Sequence, residues 1–417
     1  MLNRGALTLS LLLGSLACGV PEPPTDRSTL ARLTPAVNPA ELKAAVAGNT
    51  DFALELHRRL SATDQNAISS GYSVSTALGM LWAGARGTSE TARATALRFP
   101  FPQAAQHPLC NHLDREMLAR NDTVGDYDRF QLRVVNDLWA QVGWAPLPAF
   151  LDVLGTQYGA GLRRLDFATK PEQARTTIND WIASQTHDRI RDLFPEGSID
   201  ASTVLALTNA VYFKADWSEA FDPKNTANGT FHRLNGTTLD APFMHRRGKL
   251  PLLVEDGLTA VELPYAGEEL AMLALMPSDL PAFERDLSAA KLEAIAGRLA
   301  ERDVELSMPK WTFEQKADLE PVLTALGAGA LFTSDADLSG IDGHPGLFVQ
   351  AVIHQAFVLV EESGTEAAAA TGVSVGRVSI PEPGTPVALD RPFVYLLRDR
   401  KTGSLLFIGR VAEPHQG

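Results

Sequence analysis

Two short motifs place a serine and two lysines in the order found in enzymes that react with penicillins. Ser307 and Lys310 fit the pattern S-x-x-K, and residues 401–403 fit the later K-T-G. In those enzymes the serine opens a helix, whereas here it ends the strand-like run 304–306. The asparagine-containing motif between the two is also absent, because no asparagine follows Asn235. A penicilloyl-serine enzyme is therefore only a weak hypothesis. The alternative interpretation is that Lys310 lies on a strand and that residues 401–403 form a hairpin turn.

The other residue types that commonly carry catalysis form no recognised pattern. Nine histidines are scattered along the chain, and no two have the spacing of a zinc protease. The sequence contains no G-x-S-x-G elbow, no glycine-rich phosphate loop followed by Lys and Ser or Thr, and no dinucleotide fingerprint after a strand. We therefore predict no metal and no other cofactor, and no ordinary hydrolase is indicated.

The most unusual local composition lies in residues 361–380, where small side chains dominate. Positions 365, 367, 369, 371, 373 and 375 carry only Thr, Ala and Val, and most of the positions between them carry Ala, Gly or Ser. Because successive residues of a strand point to opposite faces, this pattern suits a strand with one buried and one wetter face. Four consecutive alanines, however, favour a helix. The residues describe a loop that could become a strand, and the plain alternative is an alanine-rich surface loop or short helix.

Hydrophobic periodicity predicts helices early in the chain and strands later. Apolar residues recur every three or four positions at 52–60, 77–82 and 178–193, which predicts three amphipathic helices. Short runs rich in branched and aromatic residues predict strands. These runs are residues 204–213, 258–263, 270–276, 304–308, 348–360, 392–398 and 405–411. Helices followed by strands, without strict alternation, predict an α+β fold with antiparallel or mixed sheets.

The first seventeen residues have the features of an export signal. Arg4 supplies a positive start, residues 6–13 form a short apolar run, and Ala17 ends a stretch of small residues. Cys18 follows directly, as in the cleavage and lipidation site of bacterial lipoproteins, although Ser15 departs from the usual branched residue. Simple secretion with cleavage near Ala17 is the alternative. We expect an exported protein, either an outer-membrane or cell-surface lipoprotein anchored through Cys18 or a free extracellular protein.

Charge and composition favour one acidic, monomeric body. The chain of 417 residues has a formal net charge of −13, and removal of the signal with Arg4 makes it more negative, which argues against nucleic acid as a partner. Prolines 21, 23 and 24 predict an extended tether within residues 18–37. Apart from Cys18 only Cys110 is left, so no intramolecular disulfide is expected. Neither a linker nor a repeat interrupts residues 41–414, which predicts a single domain over residues 38–417.

Several stretches, taken in order, resemble the serpins, a superfamily of serine protease inhibitors. Residues 362–371 are similar to the hinge of inhibitory members, residues 209–223 to the most characteristic stretch of the family, and residues 70–87 to its second helix. Four further stretches agree in order, namely residues 304–311, 336–341, 390–393 and 406–410. The resemblance covers about residues 40 to 414 and indicates a bacterial serpin of the inhibitory type.

This resemblance implies an α+β fold with three β-sheets, eight or nine helices and an exposed reactive loop at about residues 362–390. In the family a target protease attacks the loop as a substrate. The loop then inserts as a new strand of the main sheet, and the acylated protease is distorted. The implied function is irreversible inhibition by a suicide substrate rather than catalysis, and the alternative is a non-inhibitory serpin-like binding protein.

The resemblance also assigns the hinge, which is the part of the loop that enters the sheet first. Small side chains pass between two strands at little steric or desolvation cost, so the composition of this segment favours an inhibitory member. The hinge residues are Glu362, Ser363, Gly364, Thr365, Glu366, Ala367, Ala368, Ala369 and Ala370.

The cleaved bond is placed by the loop length usual in the family. Counting from Glu362 puts this bond between Val378 and Ser379, which would suit an elastase-like serine protease. One residue earlier, a bond between Arg377 and Val378 would suit a trypsin-like protease. Both registers stay open.

The family further implies a shutter, the point where the main sheet opens. The matching residues are Ser70, Ser73, Asn209 and His354, with Trp217 near the point of first insertion in the breach above it. Their plain role is a satisfied buried hydrogen-bond cluster. Gly71 stands where proline is usual and Gln355 where lysine is usual, which bears on how firmly the sheet is latched.

Overall fold

The fold is seen in a computed structural model that describes residues 22–61, 65–124, 129–365 and 383–414, without the side chains of residues 122–124. Cys18, five of the hinge residues (366–370) and both candidate cleavage bonds (377–379) lie outside these ranges. In the described part the α-helices are α1 Pro39–Leu60, α2 Gly71–Trp82, α3 Gly87–Ala96, α4 Gln103–Val124, α5 Pro148–Val153, α6 Pro171–Gln185, α7 Leu280–Arg285, α8 Ala289–Ala296, α9 Glu320–Leu323 and α10 Ser339–Asp342.

Strands dominate the second half of the chain, as the sequence predicts. They are β1 Thr25–Asp26, β2 Ala67–Ser69, β3 Phe130–Gln141, β4 Leu162–Leu165, β5 Leu205–Asp216, β6 Ala227–His232, β7 Thr238–Glu255, β8 Leu258–Pro264, β9 Leu270–Pro277, β10 Ala300–Pro309, β11 Trp311–Asp318, β12 Val352–Val360, β13 Gly364–Thr365, β14 Thr385–Ala388, β15 Phe393–Asp399 and β16 Leu405–Val411. All seven predicted strands are present, although β12 begins four residues later than the predicted run.

The main sheet has seven strands in the order β1-β4-β3-β5-β13-β12-β11. Its two central long strands, β5 and β12, run parallel and pair from Leu207 with Val352 to Val211 with Ala356. Beyond that point the short β13 lies between them and is antiparallel to both. The centre of the main sheet is therefore closed at one end and holds the start of a further strand at the other.

The second sheet joins two smaller sheets through one long strand. Its order is β14-β10-β7-β8-β9-β15-β16-β2, with β6 also on β7. The first part of β7 pairs with β6 and β10, and its last four residues pair with β8. The three sheets implied by the resemblance are thus two hydrogen-bonded units, because the smaller two share β7. The predicted α+β class with mixed sheets is confirmed.

Helix α2 is the central helix, and its start explains one departure from the family pattern. The Ser70 hydroxyl caps the helix by accepting a hydrogen bond from Ser73 N. A Cβ atom added to Gly71 would lie 2.3 Å from the Cβ atom of Ala53 in α1. In this packing the position next to the cap therefore admits only glycine, since α1 and α2 approach there too closely for a larger residue.

The predicted helix over residues 178–193 ends early. Helix α6 stops at Gln185, and His187 and Asp188 have φ angles of 49° and 61°, which a helix cannot contain. Ile190 and Leu193 continue the apolar spacing of the helix although they lie beyond its end. Both side chains are buried with α6 against the main sheet. The prediction was wrong beyond residue 185.

The part of the predicted tether that the structure describes lies against the body. Strand β1 pairs with β4 at the edge of the main sheet. The Glu22 carboxylate lies 3.2 Å from the Arg163 guanidinium, Asp26 pairs with Arg164, and the Ser28 hydroxyl donates to Asp152 at 2.5 Å. Residues 22–28 are therefore extended but docked. Within the described ranges no helix is both long and apolar enough to span a bilayer.

Candidate functional site

The first hinge residues already lie inside the main sheet. In β13, Gly364 pairs with Asp216, and Thr365 lies between Ala215 and Val360 with 1% of its surface exposed. A Cβ atom on Gly364 would stand 2.1 Å from the Ala215 carbonyl oxygen, so only glycine fits there. The sequence indicates a loop that could become a strand, and the structure shows that its first two paired residues are already strand.

The Thr365 side chain is received by a tyrosine that the sequence did not single out. Its Oγ1 lies 2.8 Å from the Tyr265 hydroxyl, and burial raises the pKa of that phenol. The Tyr265 ring stacks on Trp217 at 4.6 Å and meets Phe213 edge-on at 5.1 Å. We call Ala215, Tyr265 and Val360 the hinge seat. The rings of Trp217 and Phe213 support the Tyr265 side of the seat, which receives one small hydroxyl-bearing side chain.

Trp217 holds the chain just before the hinge seat. Its indole N–H donates to the Glu361 carbonyl at 3.0 Å, and its backbone N–H donates to the Ser363 carbonyl at 2.9 Å. The Phe221 N–H donates to the Glu362 carbonyl at 2.8 Å. Trp217 therefore binds the chain directly before β13, and its role in insertion stays a prediction.

Glu362 is fixed by two further contacts. Its carboxylate lies 2.7 Å from the Lys310 ammonium and accepts a hydrogen bond from the Thr226 hydroxyl at 2.7 Å. Burial alone would raise the pKa of Glu362, but these two donors outweigh it and the pKa lies below its usual value. The chain is thus pinned by charge immediately before it enters the sheet.

The positions of Ser307 and Lys310 in the fold contradict the penicilloyl-serine hypothesis. Ser307 lies within β10 and opens no helix, and Lys310 is the single residue between β10 and β11. Residues 401–403 form the turn between β15 and β16, as predicted. Among the residues that the structure describes, no cluster of His, Cys, Asp or Glu could hold a metal ion.

The four shutter residues form one hydrogen-bonded cluster in the middle of the main sheet. The Asn209 amide donates to the Ser73 hydroxyl at 2.8 Å and to the Asn136 side-chain oxygen at 2.6 Å. His354 Nδ1 lies 2.6 Å from Asn209 Oδ1, and the Ser70 N–H donates to His354 Nε2 at 3.1 Å. Asn136 of β3 belongs to the cluster although the sequence did not indicate it.

This cluster joins the two strands that would separate on insertion. His354 of β12 and Asn209 of β5 are direct partners in the parallel register, and both are fully buried. The Ser70 hydroxyl donates to the Leu406 carbonyl of β16, which ties the cluster to the second sheet. Because every polar group has a partner, separating the strands would leave several buried groups unsatisfied.

The protonation state of His354 follows from its contacts. Nε2 accepts from a backbone N–H, so Nδ1 carries the proton and donates to Asn209, and the ring is neutral. Burial lowers the pKa of His354 to about 4.

Gln355 points to the opposite face, is 7% exposed, and its Oε1 has no hydrogen-bond partner among the described residues. The usual lysine would have an ammonium at that buried position.

A loss of stability in acid is the expected result of this buried neutral histidine. Between pH 6.5 and 4 the unfolded chain binds a proton at His354 that the native protein does not. The free energy of unfolding should therefore fall as the pH falls through this window, by about 3 kcal/mol from His354 alone. Urea unfolding at several pH values measures this, and His354→Gln should give a shallower slope. The slope of His354→Gln is compared with that of His107→Gln. Burial lowers the pKa of His107 to about 4 as well, so this variant should also give a shallower slope. An unchanged slope in His354→Gln would contradict the prediction.

Comparison with known proteins assigns the architecture. The profile of the family described as serpin (serine protease inhibitor) matches residues 47–414. The chain belongs to the serpin family. Members of this family are generally protease inhibitors rather than enzymes.

Relatives of this serpin span almost its whole length. An uncharacterized serpin-like protein of Thermococcus kodakarensis is 36% identical over 88% of this chain and 85% of its own. The leukocyte elastase inhibitor of Bos taurus is 33% identical over 88% of this chain and 99% of its own. Human thyroxine-binding globulin, solved in complex with thyroxine, has a TM-score of 0.79 at 27% identity, and the match covers 90% of this chain and 100% of that one. The serpin fold thus serves both inhibitors and a binding protein.

Proposed function

We propose that this serpin is a suicide-substrate inhibitor of serine proteases, which works by cleavage of its reactive loop and insertion of the hinge into the main sheet. The observation that carries the proposal is the seated hinge. Thr365 already occupies a strand position between Ala215 and Val360. The entry point is formed and oriented, so insertion continues a strand that has begun and needs no new nucleus.

The register of β13 explains why the rest of the hinge is made of small residues. Continued along the same ladder, residue 367 would come to lie between Phe213 and Val358, and residue 369 between Val211 and Ala356. These four neighbours all belong to the core beneath the sheet. Alanine at 367 and 369 adds little volume to a close-packed interior, whereas a large side chain there would have to displace core residues. The alanine pattern therefore fits insertion better than it fits a surface loop.

The test is incubation with elastase and with trypsin, followed by denaturing electrophoresis. An inhibitor gives a covalent band that resists SDS, and the cleaved form melts at a higher temperature than the intact protein. A non-inhibitory binding protein would be cleaved without a covalent band and without a gain in thermal stability, and this result would contradict the proposal. The mass of the released carboxy-terminal peptide distinguishes cleavage after Val378 from cleavage after Arg377.

Target class and location belong to the same proposal. Cleavage after Val378 makes an elastase-like protease the partner, which agrees with the similarity to the leukocyte elastase inhibitor. Cleavage after Arg377 makes it a trypsin-like protease. We propose that the protein acts as a monomer at the bacterial envelope and is held there by lipid on Cys18. Metabolic labelling with a fatty acid tests the anchor, with Cys18→Ser as the control that should lose the label.

A further inference from the structure

Exposed apolar side chains gather at the end of the main sheet where β3 and β4 finish and β5 and β12 begin. Among the described residues eight large hydrophobic side chains are exposed, and three of them lie in two loops at this end. Val142 and Leu147, in the loop between β3 and α5, are 45% and 37% exposed, and Phe348, shortly before β12, is 38% exposed. Exposed apolar side chains that cluster on one surface mark a contact site.

The two loops are bonded to each other. The Leu147 N–H donates to the Ile341 carbonyl at 2.7 Å, and the Trp144 indole N–H donates to the Asp342 carboxylate at 3.1 Å. Trp144 is half-buried. An indole in such a position suits the boundary between water and lipid, because its ring is apolar and its N–H is polar. We call this set the apolar rim, and its residues are Val142, Trp144, Leu147 and Phe348.

Glycines place the apolar rim at the tips of its loops. Gly143 and Gly346 have φ angles of 81° and 94°, which mark tight turns. A Cβ atom added to either glycine would meet no other part of the protein within 4 Å. Turn tips usually carry polar residues, and folding alone does not account for apolar side chains beside them. The rim is therefore free to meet a partner outside the folded chain.

The amino-terminal segment leaves the body beside the apolar rim. Strand β1 is antiparallel to β4, so the chain runs towards the end of β4 as it is followed back from β1 to Glu22. The carbonyl of Leu165, the last residue of β4, accepts a hydrogen bond from the Val142 N–H at 2.9 Å. Glu22 therefore emerges close to the rim, and Cys18 is four residues further back in the sequence.

We propose that the apolar rim is a membrane contact, which lies against the surface of the lipid bilayer in the anchored protein. This inference rests on the proposed lipid anchor at Cys18. Because the anchor keeps the rim close to the acyl chains, the bilayer is the partner that the rim meets at the highest effective concentration. Burial of each partly exposed side chain adds less than about ten-fold to binding. The rim therefore orients the anchored molecule, and the contact can break without loss of the anchor.

Quenching of tryptophan emission by brominated phosphatidylcholine tests the contact. The lipidated protein is reconstituted into vesicles whose acyl chains carry bromine, which quenches only the indoles that approach the chains. The part of the emission that Trp144→Phe removes should be lost on these vesicles and kept on vesicles without bromine. This zwitterionic lipid is chosen because the Asp342 carboxylate borders the rim, so the contact should need no anionic lipid.

Glutamate substitutions in the apolar rim should abolish this quenching. The variant carries Val142→Glu together with Phe348→Glu, and it should keep the fatty-acid label on Cys18. Leu234→Glu is the matched control, because Leu234 is 39% exposed but lies in the turn between β6 and β7. Strand β6 is bonded to Asp390 just beyond the reactive loop, far along the chain from the rim. The control should be quenched as strongly as the unchanged protein.

The outcomes separate the rim from the anchor. Full labelling without quenching of Trp144 would overturn the membrane contact and leave the anchor in place. The same holds if lipid-free Cys18→Ser protein self-associates in sedimentation and the two glutamates abolish this, since the rim would then bind a second copy of the chain. Absence of the label would overturn the anchor and the membrane contact together, while the covalent band with a protease would still test inhibition.

Discussion

Replacement of Thr365 by arginine should abolish inhibition and leave cleavage intact. The hinge seat encloses Thr365 almost completely and offers one hydroxyl partner, Tyr265. A guanidinium placed there would be buried without a counter-charge, which costs several kcal/mol. The hinge would remain outside the sheet, and the acyl-enzyme would be hydrolysed before the loop could insert. The number of inhibitor molecules consumed per protease inactivated should rise by more than about ten-fold, since each 1.4 kcal/mol is a factor of ten.

Two milder substitutions make this experiment decisive. Thr365→Ser keeps the hydroxyl and should remain an inhibitor. Thr365→Val keeps the shape but leaves the buried Tyr265 hydroxyl without its partner, at a cost of about 1–3 kcal/mol, and should give an intermediate result. Gel analysis of complex against cleaved product measures all three variants. Full inhibition by Thr365→Arg would show that the seat is not on the path of insertion.

Removal of the Asn209 side chain should have the largest effect on stability. Asn209→Ala deletes the bonds to Ser73, Asn136 and His354 and leaves the buried Nδ1–H of His354 without its acceptor. Such losses amount to about 3–5 kcal/mol when a buried network is broken. We expect a lower denaturation midpoint and, since β5 and β12 lose their link, a faster loss of inhibitory activity on mild warming.

The matched control for Asn209→Ala is Ser73→Ala. The Ser73 hydroxyl accepts from Asn209 and donates to Asn136 at 3.2 Å, but it makes no bond to β12. This variant should lower the denaturation midpoint by less and should have little effect on the rate at which activity is lost. Equal behaviour of the two variants would contradict the claim that the Asn209–His354 bond latches the sheet.

Local pattern was enough to predict the strands but not the contacts between them. Strands β5, β12 and β15 carry runs of branched and aromatic residues that leave little alternative. By contrast, Tyr265 meets Thr365 across 100 residues, and Asn136 meets Asn209 across 73. Such pairs depend on the register of whole strands, which no short window of sequence contains. The residues of the shutter were available only through the family resemblance.

The helix ending at Gln185 shows a second limit. The buried side chains at 190 and 193 have the spacing of a helix although they lie outside one. The positive φ angles at 187 and 188 occur at residues other than glycine, so nothing in the sequence marked the end of the helix. The same holds for the hinge. Alternating small residues predict that a strand can form, but the energy balance that leaves Thr365 inserted depends on Tyr265 and Trp217, far away in sequence.

The docking of residues 22–28 on the edge of the main sheet determines how an anchored molecule would stand on a bilayer. If Cys18 carries lipid, only residues 18–21 separate the acyl chains from Glu22, a reach of at most about 14 Å. The folded body would therefore stay close to the membrane surface. Strand β4 adjoins β3 at residues 138–141, opposite the beginning of β5 and not the end that holds the hinge. The reactive loop would then face away from the membrane. A protease that moved with the inserting loop along the main sheet would end at the side of the molecule nearest the lipid.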